Sequence, residues 1–174
     1  MDIKKPLAGT YNKAWQPYLD RVEEGDLLLL LADQERRVVD RLRSLTDEQG
    51  LYRYGEGKWS LKELLGHIID TERIMSYRLL CAARGDLTPL PRHPEVYVNL
   101  TNFDRRPLSD LIAEFRAVRA STYALVNGLT ETELGQSAVV NDVRTTAAAI
   151  VYFMLGHAQH HIEVAERLYF PLES

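Results

Sequence analysis

An all-α four-helix bundle is the fold class this sequence predicts, and three observations predict it. Four long segments carry apolar residues at helical spacing. No stretch of four or more residues alternates convincingly as a strand would; Tyr97-Val98-Asn99-Leu100 is the nearest case and is short. A long connection with four prolines, from Asp86 to Pro107, separates the second segment from the third. Four helices of about twenty residues with one long connection read as a four-helix bundle.

The first helix is expected from Asp26 to Leu45, with Asp26 as its N-cap after Gly25. Its run Leu27 to Leu31 is apolar all round, as in a helix buried deep in a bundle. The second runs from Leu61 to Ala83. Ser60 and Glu63 have capping-box spacing at its start, and Arg84-Gly85 supplies a cationic end and a glycine stop. The third runs from Ser109, as cap, to Asn127, with Gly128 as stop. Thr130 to Leu134 is expected to add a short turn. The fourth runs from Thr145 to Tyr169 and is ended by Pro171. The connection from Asp86 to Pro107 is long enough to be functional or a crossover.

The 174 residues suffice for one domain, taken as 1–174, with a real core. Hydrophobic residues make up 45% and charged residues 26%, ordinary for a soluble fold. The net charge of -4 and the lack of any basic block argue against nucleic acid as a partner. The longest apolar run, Leu27 to Ala32, is far too short to span a bilayer, so no membrane role is expected. The N-terminus lacks the apolar stretch of a secretory signal, and the single Cys81 can form no intrachain disulfide; both fit a cytoplasmic protein. No G-x-G-x-x-G, Walker loop, G-x-S-x-G, C-x-x-C or H-E-x-x-H occurs, so nucleotide-cofactor, serine-hydrolase and zincin chemistries lack their usual support.

The histidines carry the functional signal. Four of the five lie in two helical segments: His67 in Leu65-Gly66-His67-Ile68, and three in Gly156-His157-Ala158-Gln159-His160-His161-Ile162. Neutral imidazole is the commonest protein ligand for a transition metal. His-x-x-x-His by itself is common by chance, but two such imidazoles on one helix face plus a third from a facing helix leave a position open for water or substrate. His157 can pair with His161 or with His160, but not equally with both. His161 continues an apolar row of Ile150, Phe153, His157, Val164 and Leu168, whereas His160 leads toward Glu163 and Arg167. We therefore take His67, His157 and His161 as candidate ligands and His160 as a rim residue. His93 is read as a loop residue.

Neighbouring groups are assigned from the same geometry. Asp70, one turn from His67 on its outer side, is the candidate catalytic base or imidazole orienter. Glu72 falls inside an apolar stripe and needs a partner, for which Arg119 is favoured over Arg78 and Arg116. Gly66 and Gly156 each precede a histidine and are expected to let the second and fourth helices approach closely. Cys81 is read as a packed thiol, and Trp59 as closing the end of the bundle.

The run Gly57-Lys58-Trp59-Ser60-Leu61-Lys62-Glu63-Leu64-Leu65-Gly66-His67-Ile68-Ile69-Asp70-Thr71-Glu72-Arg73, with Arg78, Arg84-Gly85-Asp86 and Pro89-Leu90-Pro91, resembles the DinB-like superfamily of metalloenzymes. Leu111 to Arg119 and the ending Gly156 to His161 are similar to it as well. The resemblance spans roughly Leu27 to Tyr169. It implies an up-up-down-down bundle in which a divalent ion such as zinc, nickel or iron is held by one histidine of the second helix and two of the last, here His67, His157 and His161. Related families include thiol-dependent S-transferases, a mycothiol-dependent maleylpyruvate isomerase and metal-dependent hydrolases, and many members are dimeric. The resulting expectation is a cytoplasmic metal-dependent enzyme acting on a small molecule. Transfer of a low-molecular-weight thiol is favoured, hydrolysis stands second, and a homodimer through exposed apolar helix faces is allowed. The alternative is a non-catalytic bundle that binds a small ligand or a protein partner.

Overall fold

The helix signals in the chain are realised as capped helices. The structure, a computed structural model, describes residues 2–89 and 95–170; His93, Leu90, Pro91, Pro94 and Pro171 lie outside the described residues. Four long helices form the body: α2 (Leu27–Leu42), α4 (Leu61–Ala83), α5 (Leu108–Asn127) and α7 (Ala147–Leu168). Three short ones join them: α1 (Gln16–Leu19), α3 (Asp47–Gly50) and α6 (Glu131–Gly135). Asp26 caps α2 through the amides of Leu28 and Leu29, and Ser60 and Glu63 form the expected capping box on α4. The long helices pack in the cyclic order α2, α5, α4, α7, and α1 lies against the outside of α7.

Several expectations need correction. The chain before α2 is built into the fold: a 3-10 turn (Lys13–Trp15) capped by Asn12 leads into α1, and β1 (Asp2–Ile3) pairs antiparallel with β2 (Gly25–Asp26). A second hairpin joins β3 (Ser137–Val140) to β4 (Val143–Thr146). Its two-residue turn holds Asn141 and Asp142 at φ of 50° and 63°, the left-handed pair that matches the twist of a tight hairpin. Tyr97 to Leu100 belongs to a 3-10 turn (Glu95–Leu100), not a strand. The third long helix begins at Leu108 with Pro107 at its cap, so Ser109 lies inside the first turn. Leu29 is 66% exposed although the run around it is apolar: Leu27 and Leu31 are buried, Leu28 and Leu30 are partly buried against the core, and Leu29 lies on the outer face.

The core falls into two apolar clusters along the bundle. One contains Leu27, Leu31, Met75, Leu79, Val126 and the first half of α7 through Leu155. The other contains Val38, Leu64, Leu65, Ile69, Phe115, Ala158 and Ala165. Between them each long helix places a buried polar residue: Gln34 on α2, Glu72 on α4, Arg119 on α5 and His157 on α7. Arg119 donates from Nη2 to Glu72 Oε2 at 2.8 Å and from Nη1 to Gln34 Oε1 at 3.0 Å, the partnership expected for Glu72. Gln34 Nε2 in turn donates to the Leu155 carbonyl at 2.9 Å, two residues before His157. His157 thus sits in a buried polar layer between the two apolar clusters.

Candidate metal centre

His67 projects from α4 and His157 and His161 from successive turns of α7, and their Nε2 atoms meet. His67 Nε2 lies 3.1 Å from His157 Nε2, and His161 Nε2 lies 3.2 Å from the same atom. One nitrogen from each of the three rings lies within 4.8 Å of the others. An imidazole nitrogen carries either one proton or one in-plane lone pair, so hydrogen bonding satisfies only one of the two contacts at His157 well. A cation would take all three lone pairs. In a tetrahedral site with bonds of 2.0–2.1 Å, ligand nitrogens stand about 3.3–3.4 Å apart. The observed spacings are close to that, and three imidazoles with a fourth position open are a donor set that zinc, nickel and iron accept. The residues present therefore fit a divalent ion.

The electrostatics of His161 favour a neutral ring. Burial pushes the His161 imidazole down to about 3, with further lowering from His67 and His160. His160 is also lowered, first by burial and then by Arg21. His157 is buried, while His67 and His161 are half-buried, so the cluster opens toward the surface on one side.

Aromatic rings brace two of the three candidate ligands, His67 and His157. Trp59 packs on His67 with ring centroids 4.9 Å apart, and Phe153 stacks on His157 at 5.6 Å. Trp59 is fixed by its own carbonyl, which accepts from the Tyr169 hydroxyl at 2.8 Å. Tyr18 of α1 packs edgewise on His160 at 5.5 Å and lies 5.7 Å from His157. The reading of the sequence assigned Tyr18 nothing. The signal available was Trp15-Gln16-Pro17-Tyr18-Leu19, two aromatic residues flanking a proline in the first turn of the helix.

The remaining assignments are placed as follows. His160 is half-buried against Tyr18, and its nitrogens are not among the converging ones. Asp70 is also outside that group; its carboxylate lies 3.8 Å from Arg73. Burial raises its pKa, Arg73 opposes this, and Glu114 adds to it. Cys81 is buried, as expected. Gly66 and Gly156 do not bring α4 and α7 together. A Cβ on Gly66 would stand 2.5 Å from the Phe103 ring, and one on Gly156 would stand 2.0 Å from the Tyr18 carbonyl oxygen. The glycines admit those groups instead, and each precedes a histidine of the cluster.

The chain is a four-helix bundle with three converging imidazoles, and comparison with known proteins identifies its family. Residues 30–165 match the model of the DinB superfamily. The chain belongs to that superfamily. Over 165 residues it is 26% identical to "Putative metal-dependent hydrolase OB0413" of Oceanobacillus iheyensis, covering 93% of this chain and 92% of that protein. Among solved structures it is similar to YfiT from Bacillus subtilis, described as "a probable metal-dependent hydrolase with an unusual four-helix bundle topology". That likeness has a TM-score of 0.67 and 17% identity, over 94% of this chain and 93% of the other. It is also similar to a mycothiol-dependent maleylpyruvate isomerase, with a TM-score of 0.62 and 16% identity, over 84% of this chain and 60% of that one. These two likenesses are of fold. No described helix is long and apolar enough to cross a membrane.

Proposed function

We propose that this protein is a metal-dependent enzyme in which His67, His157 and His161 hold one divalent ion, zinc, nickel or iron, and that it acts on a small molecule. The observation that carries the reading is the meeting of three Nε2 atoms from two helices at 3.1 and 3.2 Å. An ion held there would supply Lewis acidity and bring the pKa of a water or thiol in the open position toward neutrality. The chain's own residues prepare the site. Burial keeps His161 neutral, so its lone pair is available. Trp59 and Phe153 fix ring orientations and keep water from the flanks of His67 and His157.

Asp70 is the proposed base, one turn beyond His67. Its raised pKa brings it nearer the range in which a carboxylate moves protons at neutral pH. Between the two chemistries, the name of the Oceanobacillus relative puts hydrolysis first, and thiol transfer, suggested by the mycothiol-dependent neighbour, second. Substitution Asp70→Asn is expected to lower turnover at least tenfold with metal content unchanged. Equal turnover would assign Asp70 to its ion pair with Arg73 alone. The reading extends to a cytoplasmic protein, from the single buried Cys81. It extends also to a homodimer through exposed apolar side chains such as Leu29 on α2 and Tyr123 on α5. Light scattering tests the dimer.

Elemental analysis of purified wild type, His157→Ala, His161→Ala and His160→Ala tests the metal assignment. One ion per chain is expected in wild type, none in the first two variants, and retained but weaker binding in the third. Stoichiometric metal in His161→Ala would move the ligand to His160. A wild-type protein that carries no metal and gains no melting temperature with zinc or nickel would favour the non-catalytic bundle.

A further inference from the structure

The two helices that carry the three imidazoles are joined a second time, through the two long helices that carry none. Leu155 of α7, two residues before His157, accepts at its carbonyl from Gln34 Nε2 of α2 at 2.9 Å. Gln34 Oε1 accepts from Arg119 Nη1 of α5 at 3.0 Å. Arg119 donates in turn from Nε and Nη2 to Glu72 Oε2 of α4, at 3.2 and 2.8 Å. Glu72 follows His67 on the same helix. The bonds thus form one belt from α7 through α2 and α5 to α4. Its three side chains are all buried, so water does not compete for them.

Three imidazoles hold an ion well only when each bond is within about 0.2 Å of its ideal length. One residue of helix rise is about 1.5 Å, so a slide of α7 along α4 by a fraction of a residue spoils the site. Apolar burial between the two helices is non-directional. Hydrogen bonds have defined lengths and angles and so specify one register. We infer that Gln34, Arg119 and Glu72 are positioning residues for the metal centre, whose belt fixes α7 against α4 and with it the spacing of the three Nε2 atoms. The inference rests on the reading of His67, His157 and His161 as metal ligands. Of the three, Gln34 bonds the backbone of α7, through a donor that a carboxylate lacks.

Cobalt-loaded protein tests this without recourse to turnover, because the visible bands of the ion report ligand geometry and their titration yields Kd. Gln34→Met keeps the length of the side chain and removes both bonds. It is expected to weaken cobalt binding about tenfold and to alter the visible bands of the fully loaded protein. Gln34→Glu keeps the acceptor for Arg119 and loses the donor to Leu155. It is expected to give the same result, and stands in if Gln34→Met does not fold. Leu79→Ala, a fully buried core change on α4 beyond Glu72, controls for lost stability. Its bands should superimpose on wild type, with Kd within about threefold. Unchanged bands and Kd in a folded Gln34 variant, or the same changes in Leu79→Ala, would overturn the positioning role while leaving the metal reading intact. A wild type that takes up no cobalt would overturn both.

Discussion

Arg119 is fully buried, and Glu72 nearly so, in a bundle that is otherwise apolar on either side of them. Their mutual geometry explains how both persist. Arg119 Nε and Nη2 both donate to Glu72 Oε2, and Nη1 reaches Gln34. Removing one partner strands the other charge in low dielectric, which typically costs about 3–5 kcal/mol. Arg119→Met is expected to lose that much stability in urea unfolding, and the double variant Arg119→Met/Glu72→Met to recover most of it. A loss below about 1 kcal/mol in the single variant would contradict the account of the pair. His161 gives a pH dependence at the same scale. In the metal-free protein its folded pKa is about 3, against an ordinary value of 6.5. The unfolded chain then takes up a proton as pH falls below 6.5 while the folded chain does not. His161 stabilises the fold fully above pH 6.5 and loses that contribution progressively toward pH 3. The urea midpoint of metal-free protein should fall across this window, and less steeply in His161→Gln; identical slopes would contradict the assignment.

Two short elements matter at the scale of secondary structure because they approach α4 and α7 where side chains are absent. The Tyr18 carbonyl of α1 presses on Gly156, and the Phe103 ring, from the 3-10 turn Phe103–Arg105, presses on Gly66. Gly156→Ala places a methyl against backbone, which cannot swing aside, and is expected to cost about 2–3 kcal/mol. It should also speed amide exchange in α1. Gly66→Ala meets a side-chain ring that can rotate, so its cost should be smaller, about 1 kcal/mol. The reverse order in thermal unfolding would contradict the contact geometry. Arg53 ties the same region together, bonding Asp104 at 2.6 Å and Glu63 at 2.5 Å and anchoring the start of α4, whose second turn carries His67. The hairpin of β3 and β4 leads directly into α7, with Thr146 capping the helix through the Ala149 amide.

At the scale of the whole molecule, the four long helices were legible because each carries both a periodic apolar face and a terminal signal, such as the Ser60–Glu63 box or the Asp26 cap. The pairing of Glu72 with Arg119 was legible because a carboxylate in an apolar stripe requires a cation and few were in reach. What escaped lies in short pieces. Ser137-Ala138-Val139-Val140 and Val143-Arg144-Thr145-Thr146 flank Asn141-Asp142 with β-branched residues, yet four-residue strands give little alternation to count. The N-terminal aromatics show no period, and Tyr18 gains its place only through a tertiary contact at Gly156. That His157 and His161 on α7 converge with His67 on α4 was legible because spacing on a helix fixes which side chains share a face. X-ray absorption at the metal edge of purified protein tests the central claim most directly. The account predicts one divalent ion per chain with three imidazole nitrogens at about 2.0–2.1 Å in wild type and loss of that signal in His67→Ala. An ion bound without histidine scattering, or one that persists unchanged in His67→Ala, would contradict it.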